Sequence, residues 1–464
     1  MSKKILIKNA QAVVTCDDFD NVFRDCDILI DGPKIIQIGK DINCPDSEQI
    51  KAKGKFVYPG LINTHHHFFQ TFVRNLDNVD YINLHVVDWL EQIYPIFQYV
   101  NEDVIYYSTL TALADLIKHG CTCAFDHQYC YTKASGKNLV DRQMEVAEML
   151  GIRYHAGRGT NTLPKSQGST IPDNMLETTD EFLNDCVRLI DLYHDNNPFS
   201  MKQIVMAPCQ PINSYKETFS ETVTVAREHG VYMHTHLGEG EYDLMRERWG
   251  KDTLEWCADI GFIGKDVWYA HSWEVTPQQY KLIADNGSGI AHCPSPAILG
   301  GFGILDIKAL QTAGVNVSLG VDGSATNDSS NLLDSLRTSF FMQAWHSKQR
   351  NGAVGAYDML KVATRGGAAA LGRPDLGSLE VGKAADLFMI DAETLELTGT
   401  RHNPGSLLAR VAVTGPVWMT MINGKIVFKD NMLLGIDEYK LAEEGEKICD
   451  AVFRGPCEAF HKFC

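Results

Sequence analysis

No uncharged apolar run reaches about 18 residues, the least that crosses a bilayer as a helix, so no membrane segment is expected. The start, Met1-Ser-Lys-Lys-Ile-Leu-Ile-Lys, offers three apolar residues before Lys8 interrupts. That is too few for the core of an export signal, and no export is expected. Basic residues are in deficit: 42 Lys+Arg against 59 Asp+Glu give a formal net charge of −17. Such a balance opposes attachment to a phosphate backbone and excludes polymeric nucleic acid as an expected partner. CxxC pairs are missing, and the 13 cysteines are odd in number and scattered from Cys16 to Cys464. Reduced thiols in a cytoplasm fit that pattern better than a disulfide scaffold. Short repeats and low-complexity tracts are absent too. What is present is ordinary globular composition, 44% hydrophobic and 22% charged, in 464 residues. A single core stops growing at roughly 250–300 residues, so a large domain with a smaller companion is expected.

The first 58 residues alternate apolar and polar, as in Ile5-Leu-Ile-Lys-Asn and Asp27-Ile-Leu-Ile-Asp, with an Asp31-Gly32-Pro33 turn. This reads as short antiparallel strands. The same signal returns in Ala385-Asp-Leu-Phe-Met-Ile and Val417-Trp-Met-Thr-Met-Ile, before an Asn423-Gly424 hairpin turn. Strands this short cannot bury a face alone, so the two ends are expected to meet in one small β-sandwich domain, residues 1–57 with 378–436. Between them apolar strand-like runs alternate with helical stretches eight times, from Phe56-Val-Tyr-Pro-Gly-Leu-Ile-Asn to Val315-Asn-Val-Ser-Leu-Gly-Val-Asp. Eight such units suit an α/β fold, a (β/α)8 TIM barrel over residues 58–377, whose catalytic groups sit at the C-terminal ends of the strands. A doubly wound sheet would want a glycine-rich phosphate turn after the first strand, and none is there. Residues 437–464 read as a helical tail. A solvated tail is the default, and packing on a neighbour in a homo-oligomer is the alternative.

The polar residues gather at the predicted strand ends. Asn63-Thr64-His65-His66-His67 closes the first, and alternation along an extended chain puts His65 and His67 on one side and His66 on the other. His234-Thr235-His236, followed by Leu237-Gly238-Glu239, closes the fifth; His271 and His292 close the sixth and seventh; Asp322-Gly323 closes the eighth. A core histidine explains any one of these, and better describes His155 or His85, but not so many convergent strand ends. The pattern fits a borderline-soft divalent cation held by imidazoles and one carboxylate with a position left for water. Such a cation brings the pKa of water from about 15.7 to roughly 7, and a hydrolase follows. Asp322 and Glu239 are then candidates for the proton transfers.

The strings Pro59-Gly-Leu-Ile-Asn-Thr-His-His-His, His234-Thr-His-Leu-Gly-Glu, Tyr269-Ala-His271, Ala291-His-Cys-Pro, Leu319-Gly-Val-Asp-Gly and Gly377-Ser-Leu-Glu-Val-Gly-Lys-Ala-Ala-Asp-Leu together resemble the amidohydrolase superfamily. Within it the chain is similar to the one-metal deaminase branch. Asp88-Trp-Leu, Thr122-Cys-Ala-Phe-Asp-His, His155-Ala-Gly-Arg-Gly and Met206-Ala-Pro-Cys bring it nearest to 8-oxoguanine deaminases and hydroxydechloroatrazine ethylaminohydrolase-like proteins. The resemblance implies one zinc or iron ion on His65, His67, His236 and Asp322, with Glu239 as proton donor to a ring nitrogen and His271 orienting the hydroxide. Choosing His236 over His234 rests on the resemblance alone. Two-metal members carry a modified lysine at the end of the fourth strand, whereas Ile204-Val-Met-Ala-Pro-Cys209-Gln210 has none there.

The activity so implied is hydrolytic deamination of an amino-substituted aromatic heterocycle, a purine such as 8-oxoguanine or guanine first; the alternative is an s-triazine or pterin aminohydrolase or chlorohydrolase displacing an amine or halide at the same site, and the remote one a non-catalytic assembly protein. Gln70, Trp89, Arg158 and Gln210 are candidates for reading the ring; Trp89 fits lid packing equally, and Arg158 a structural ion pair. Relatives commonly continue Cys-Pro-x-Ser-Asn after the seventh-strand histidine. Here Cys293-Pro-Ser-Pro-Ala-Ile-Leu-Gly-Gly-Phe-Gly suggests a loop stiffened by an extra proline and hinged at Gly300-Gly301.

Overall fold

The structure, a computed structural model, describes residues 4–76, 86–347, 352–413 and 415–462. Eight parallel strands form the barrel: β6 (Leu61–Asn63), β7 (Cys121–Gln128), β8 (Arg153–Arg158), β9 (Lys202–Met206), β10 (Tyr232–Leu237), β11 (Val267–His271), β12 (Gly289–His292) and β13 (Asn316–Leu319). Each pairs with its sequence neighbour. Just beyond the ends of β6 and β13 the ring is closed by Thr64 N donating to Leu319 O at 3.1 Å and Asp322 N to His65 O at 3.0 Å. These strands are buried on both faces, which is why they read as continuous apolar runs instead of alternating ones.

The chain ends form one nine-stranded mixed sheet. The N-terminal part gives β1 (Ile5–Val14), β2 (Val22–Asp31), β3 (Lys34–Gly39), β4 (Glu48–Lys51) and β5 (Lys55–Pro59). The C-terminal part adds β14 (Leu387–Asp391), β15 (Met419–Ile422), β16 (Lys425–Lys429) and β17 (Met432–Leu433). The two parts are joined by the antiparallel β5–β14 pair. Two details differ from expectation. β1 runs parallel to both β4 and β5, so the sheet is not purely antiparallel. The run Phe56–Asn63 is also not one strand: it leaves the sheet after Pro59 and enters the barrel at Leu61, Gly60 N donating to Asp386 O at 3.0 Å on the way.

The ends touch at their turns. Asn423 and Gly424 both take positive φ (53° and 74°), as a two-residue hairpin requires. A Cβ on Gly424 would lie 1.9 Å from Gly32 O, in the opposite hairpin, so the contact needs glycine. Buried Arg153 at the base of the barrel clamps the sheet, donating to both Asp386 oxygens (2.7 and 3.0 Å) and to Asn423 Oδ1 (2.7 Å).

The tail is not merely solvated within the chain. Its helix Glu438–Cys449 lies against the helix Glu102–Lys118, Tyr107 hydroxyl donating to Glu444 at 3.1 Å. Phe453, Cys457 and Phe460 then enter an apolar cluster with Phe69, Trp89, Tyr94 and Phe97. Among the described residues no helix is long and apolar enough to cross a membrane.

Candidate active site

The barrel's C-terminal rim brings His65, His67, His236, His271, Glu239 and Asp322 together, all buried. His66 faces the other way, accepting from His67 N at 2.8 Å through Nδ1 and meeting Ser330 Oγ at 2.8 Å through Nε2. Backbone strain marks two of these positions: His271 and Asp322 hold φ of 65° and 70°, a region non-glycine residues rarely occupy and active sites often do.

The hydrogen-bond network fixes the tautomers, since a carbonyl can only accept. His67 Nδ1 lies 2.9 Å from His127 O and His236 Nδ1 2.8 Å from Cys209 O, so both Nδ1 atoms donate and both Nε2 atoms carry bare lone pairs. Those two Nε2 atoms are only 3.1 Å apart. His234 Nδ1 donates to Trp268 O (2.8 Å), so its Nε2 accepts from His65 Nδ1 (2.9 Å), and His65 Nε2 is likewise a lone pair with no hydrogen-bond partner. It lies 3.2 Å from Asp322 Oδ1, with His67 Nε2 3.4 Å from the same oxygen. Three lone pairs converging beside a carboxylate repel one another unless a cation sits among them. The donor set fits a nitrogen-and-oxygen-ligated divalent ion. The same network separates the two histidines that the sequence left open: His236 presents its nitrogen to this point, and His234 supports His65 from below.

Charge states agree. Burial, reinforced by neighbouring imidazoles, pushes His65 well below its ordinary pKa, and His67 and His271 are held at about 3, also by burial first, so all three are neutral. Burial works to raise Asp322, but the surrounding histidines outweigh it and the carboxyl is lowered. Glu239 goes the other way: burial, then the charges of Asp322 and Glu241, lift it well above the carboxylate range. Burial thus favours its neutral form over the carboxylate. Its loop is pinned by Glu241, which accepts from Gly238 N (2.7 Å) and Glu239 N (2.6 Å). His271 Nε2 stands 3.4 Å from Glu239 Oε1, and neither ring nitrogen of His271 has a hydrogen-bond partner.

A pocket of ≈ 320 Å³, counting its open mouth, lies over these groups. His67, His236, Glu239 and Asp322 form its floor, and one face of the helix Val86–Phe97 (Val86, Trp89, Leu90, Tyr94) forms a wall. Gln70 reaches it as expected. Its Oε1 accepts from Ala325 N at 3.2 Å, and its amide lies so flat on Gly323 that a Cβ there would come within 1.9 Å. Trp89 is a wall residue inside the apolar cluster, which combines both readings of it. Gln210 lines the pocket, but its amide holds Glu239 Oε2 (3.0 Å) and accepts from Asn213 (3.3 Å). Arg158 takes the second of its two readings, the structural ion pair. Its guanidinium is buried away from the pocket in ion pairs with Glu177 (2.6 Å) and Asp185 (2.8 Å), over the Tyr131 ring, because a charge so deep must be paired.

Three further residues matter: His127, stacked on His236 at 4.9 Å; Cys209, whose carbonyl orients His236; and Thr326, whose hydroxyl meets Asp322 Oδ2 at 3.0 Å. His127 lies in the last turn of β7 as the other histidines lie at their strand ends, a signal available in the sequence. His155 is a core histidine beside Arg373, and His85 lies outside the described residues. After His292 a short helix, Pro294–Leu299, replaces the expected loop; prolines are tolerated in a first turn because its N–H groups have no intrahelical acceptor.

A barrel with imidazoles and carboxylates on its C-terminal rim is the architecture of a metal-assisted hydrolase. An amidohydrolase family profile matches residues 56–427, and the chain belongs to that family. It is 49% identical to a hydroxydechloroatrazine ethylaminohydrolase of Pseudomonas sp. (strain ADP) over 95% of this chain and 93% of the relative. It is 32% identical to an 8-oxoguanine deaminase of Pseudomonas aeruginosa, over 97% and 99%. Among solved structures, an atrazine chlorohydrolase of Arthrobacter aurescens TC1 complexed with zinc superposes with a TM-score of 0.92 at 30% identity, covering 96% of this chain and all of that one.

Proposed function

We propose that the chain is a zinc-dependent aminohydrolase that replaces an amino or alkylamino substituent of an oxygen-bearing nitrogen heterocycle with hydroxyl. Sequence alone favours a purine. The 49% identity to an ethylaminohydrolase of a hydroxylated triazine moves the first choice to a hydroxy-s-triazine, with 8-oxoguanine or guanine second, supported by the 32%-identical relative.

His65, His67, His236 and Asp322 would hold one zinc. Zinc there supplies hydroxide at neutral pH by bringing the pKa of water from about 15.7 to roughly 7. Glu239, whose burial favours the proton-bearing form, donates to the ring nitrogen beside the reacting carbon and makes that carbon electrophilic. His271, with both ring nitrogens uncommitted, orients the attacking oxygen and stabilises the tetrahedral state. Asp322 takes the proton of the attacking water and returns it to the amine as the C–N bond breaks. The protonated ring left behind returns one proton to Glu239, so one water is consumed and one amine leaves for each new C–OH, with both carboxyls restored. Gln210 keeps Glu239 aimed, and Gln70 offers its Nε2 to a ring acceptor.

The carrying observation is geometric: the buried Glu239 carboxyl, held by Gln210 and 3.4 Å from His271, stands beside three converging imidazole lone pairs and the Asp322 carboxylate. Glu239→Gln tests it: zinc should stay near one equivalent per chain while kcat falls by about 10²–10⁴-fold. Unchanged turnover removes the assignment. Product analysis separates the ring readings, since an alkylamino-hydroxytriazine releases alkylamine and a purine releases ammonia.

A further inference from the structure

Resting on that reading, one pocket residue is unexplained. Tyr94 sits on the pocket face of the helix Val86–Phe97, 1% exposed, and its hydroxyl has no hydrogen-bond partner among the described residues. Its ring packs edge-on to Phe97 at 6.0 Å, inside the apolar cluster that backs the wall. Phenylalanine would serve that packing as well, and a buried hydroxyl without a partner is a liability that native structures rarely keep without cause. The other polar groups of the pocket are mostly committed: Gln210 to Glu239 and Asn213, Thr326 to Asp322 and Gly323, Gln70 Oε1 to Ala325.

We propose that the Tyr94 hydroxyl is a specificity-determining group that hydrogen-bonds the oxygen substituent of the heterocycle. An oxygen-bearing ring satisfies the buried hydroxyl, whereas a ring carrying hydrogen or an apolar group at that place leaves it unpaired. Sites built to pair a substrate's polar group discriminate strongly against analogues that lack it. The wall thus selects oxygenated rings before the chemistry below it begins.

The test is Tyr94→Phe, which keeps the ring and its packing. Two substrate pairs differing only in the ring oxygen are compared: hydroxydechloroatrazine against its analogue with hydrogen at the hydroxyl position, and guanine against 2-aminopurine. The expected result is a loss of about 10- to 100-fold in kcat/KM for the oxygenated member, carried by KM, with the other member changed by less than about twofold. Calorimetric titration of the same compounds into zinc-loaded E239Q and E239Q/Y94F proteins reads recognition without turnover. A difference in Kd alongside undiminished turnover of E239Q would keep this inference while removing the proposed mechanism. Equal losses for both members of a pair, no loss in either, or no binding of any oxygenated ring overturns it.

Discussion

The two walls of the pocket are built by different physics. On the barrel side, positions are set by backbone and buried hydrogen bonds. His67 and His236 are each tied to a carbonyl, His65 is held through His234 to Trp268 O, and Trp268 Nε1 returns to Thr64 O at 3.0 Å. On the helix side, Val86, Trp89, Leu90 and Tyr94 lie in an apolar cluster whose far edge is the C-terminal tail. A network of buried hydrogen bonds in a dry interior is stiff, whereas an apolar contact is non-directional and tolerates displacement. On the proposed function, chemistry sits on the stiffer side and substrate choice on the side that can change. This is how one barrel hosts many activities.

The largest effect should come from the barrel wall. Asp322→Asn removes the charge facing His65 and His67, and we expect zinc below about 0.1 equivalent and kcat/KM down by at least about 10⁴-fold, because several kcal/mol of transition-state stabilisation go with the ion. Metal analysis and steady-state kinetics decide it. A variant that keeps its zinc would show that the imidazoles suffice, and the contrast between the walls would weaken.

The sequence reveals the barrel wall far better than the helix wall, for the same reason. Histidines at strand ends are local, periodic signals, and the parity of His65 and His67 against His66 survives although β6 itself stops at Asn63. Parity cannot separate His234 from His236, since both face inward; only the carbonyls of Trp268, on β11, and Cys209, in the loop after β9, do so. The sequence leaves Arg158 open between ligand reader and ion pair, because its partners Glu177 and Asp185 reach it from 19 and 27 residues away. Tyr94 reads as one more apolar position on an amphipathic helix, because nothing local says that its hydroxyl lacks a partner. The split at Gly60 hides inside one apolar run whose halves serve two sheets.

A middle-sized effect sharpens the contrast. His234→Leu leaves His65 Nδ1–H unpaired in the interior and frees the ring to turn. His234→Gln can still accept from His65 and donate to Trp268 O. We expect the leucine variant to bind zinc about 10- to 100-fold more weakly in chelator competition, and the glutamine variant to recover most of that loss. Restored affinity with glutamine distinguishes a positioning role from bulk packing. Equal affinity in all three proteins would leave His234 a filler of the barrel core beside Phe125 and Trp268, which it also touches.

The smallest effect belongs to the helix wall and tests whether it is separable. Phe453 is fully buried in the tail, in the same cluster as Trp89 and Tyr94. Truncating a core phenylalanine costs about 3–5 kcal/mol when its surroundings cannot relax, but a terminal segment can open locally and escape most of that. Phe453→Ala should therefore slacken the helix wall without unfolding the barrel. KM is expected to rise by about three- to tenfold, with zinc content and kcat within about twofold of the parent and a modest fall in Tm. The split is diagnostic because the ligands take their aim from strands and carbonyls, and the cluster reaches them only at its inner edge, through the Cys209 backbone and through Phe69 and Tyr129, whose rings pack on His67 and His236. If kcat or zinc falls together with KM, those shared residues couple the walls, and the pocket is one mechanical unit in which substrate contact and metal geometry change together.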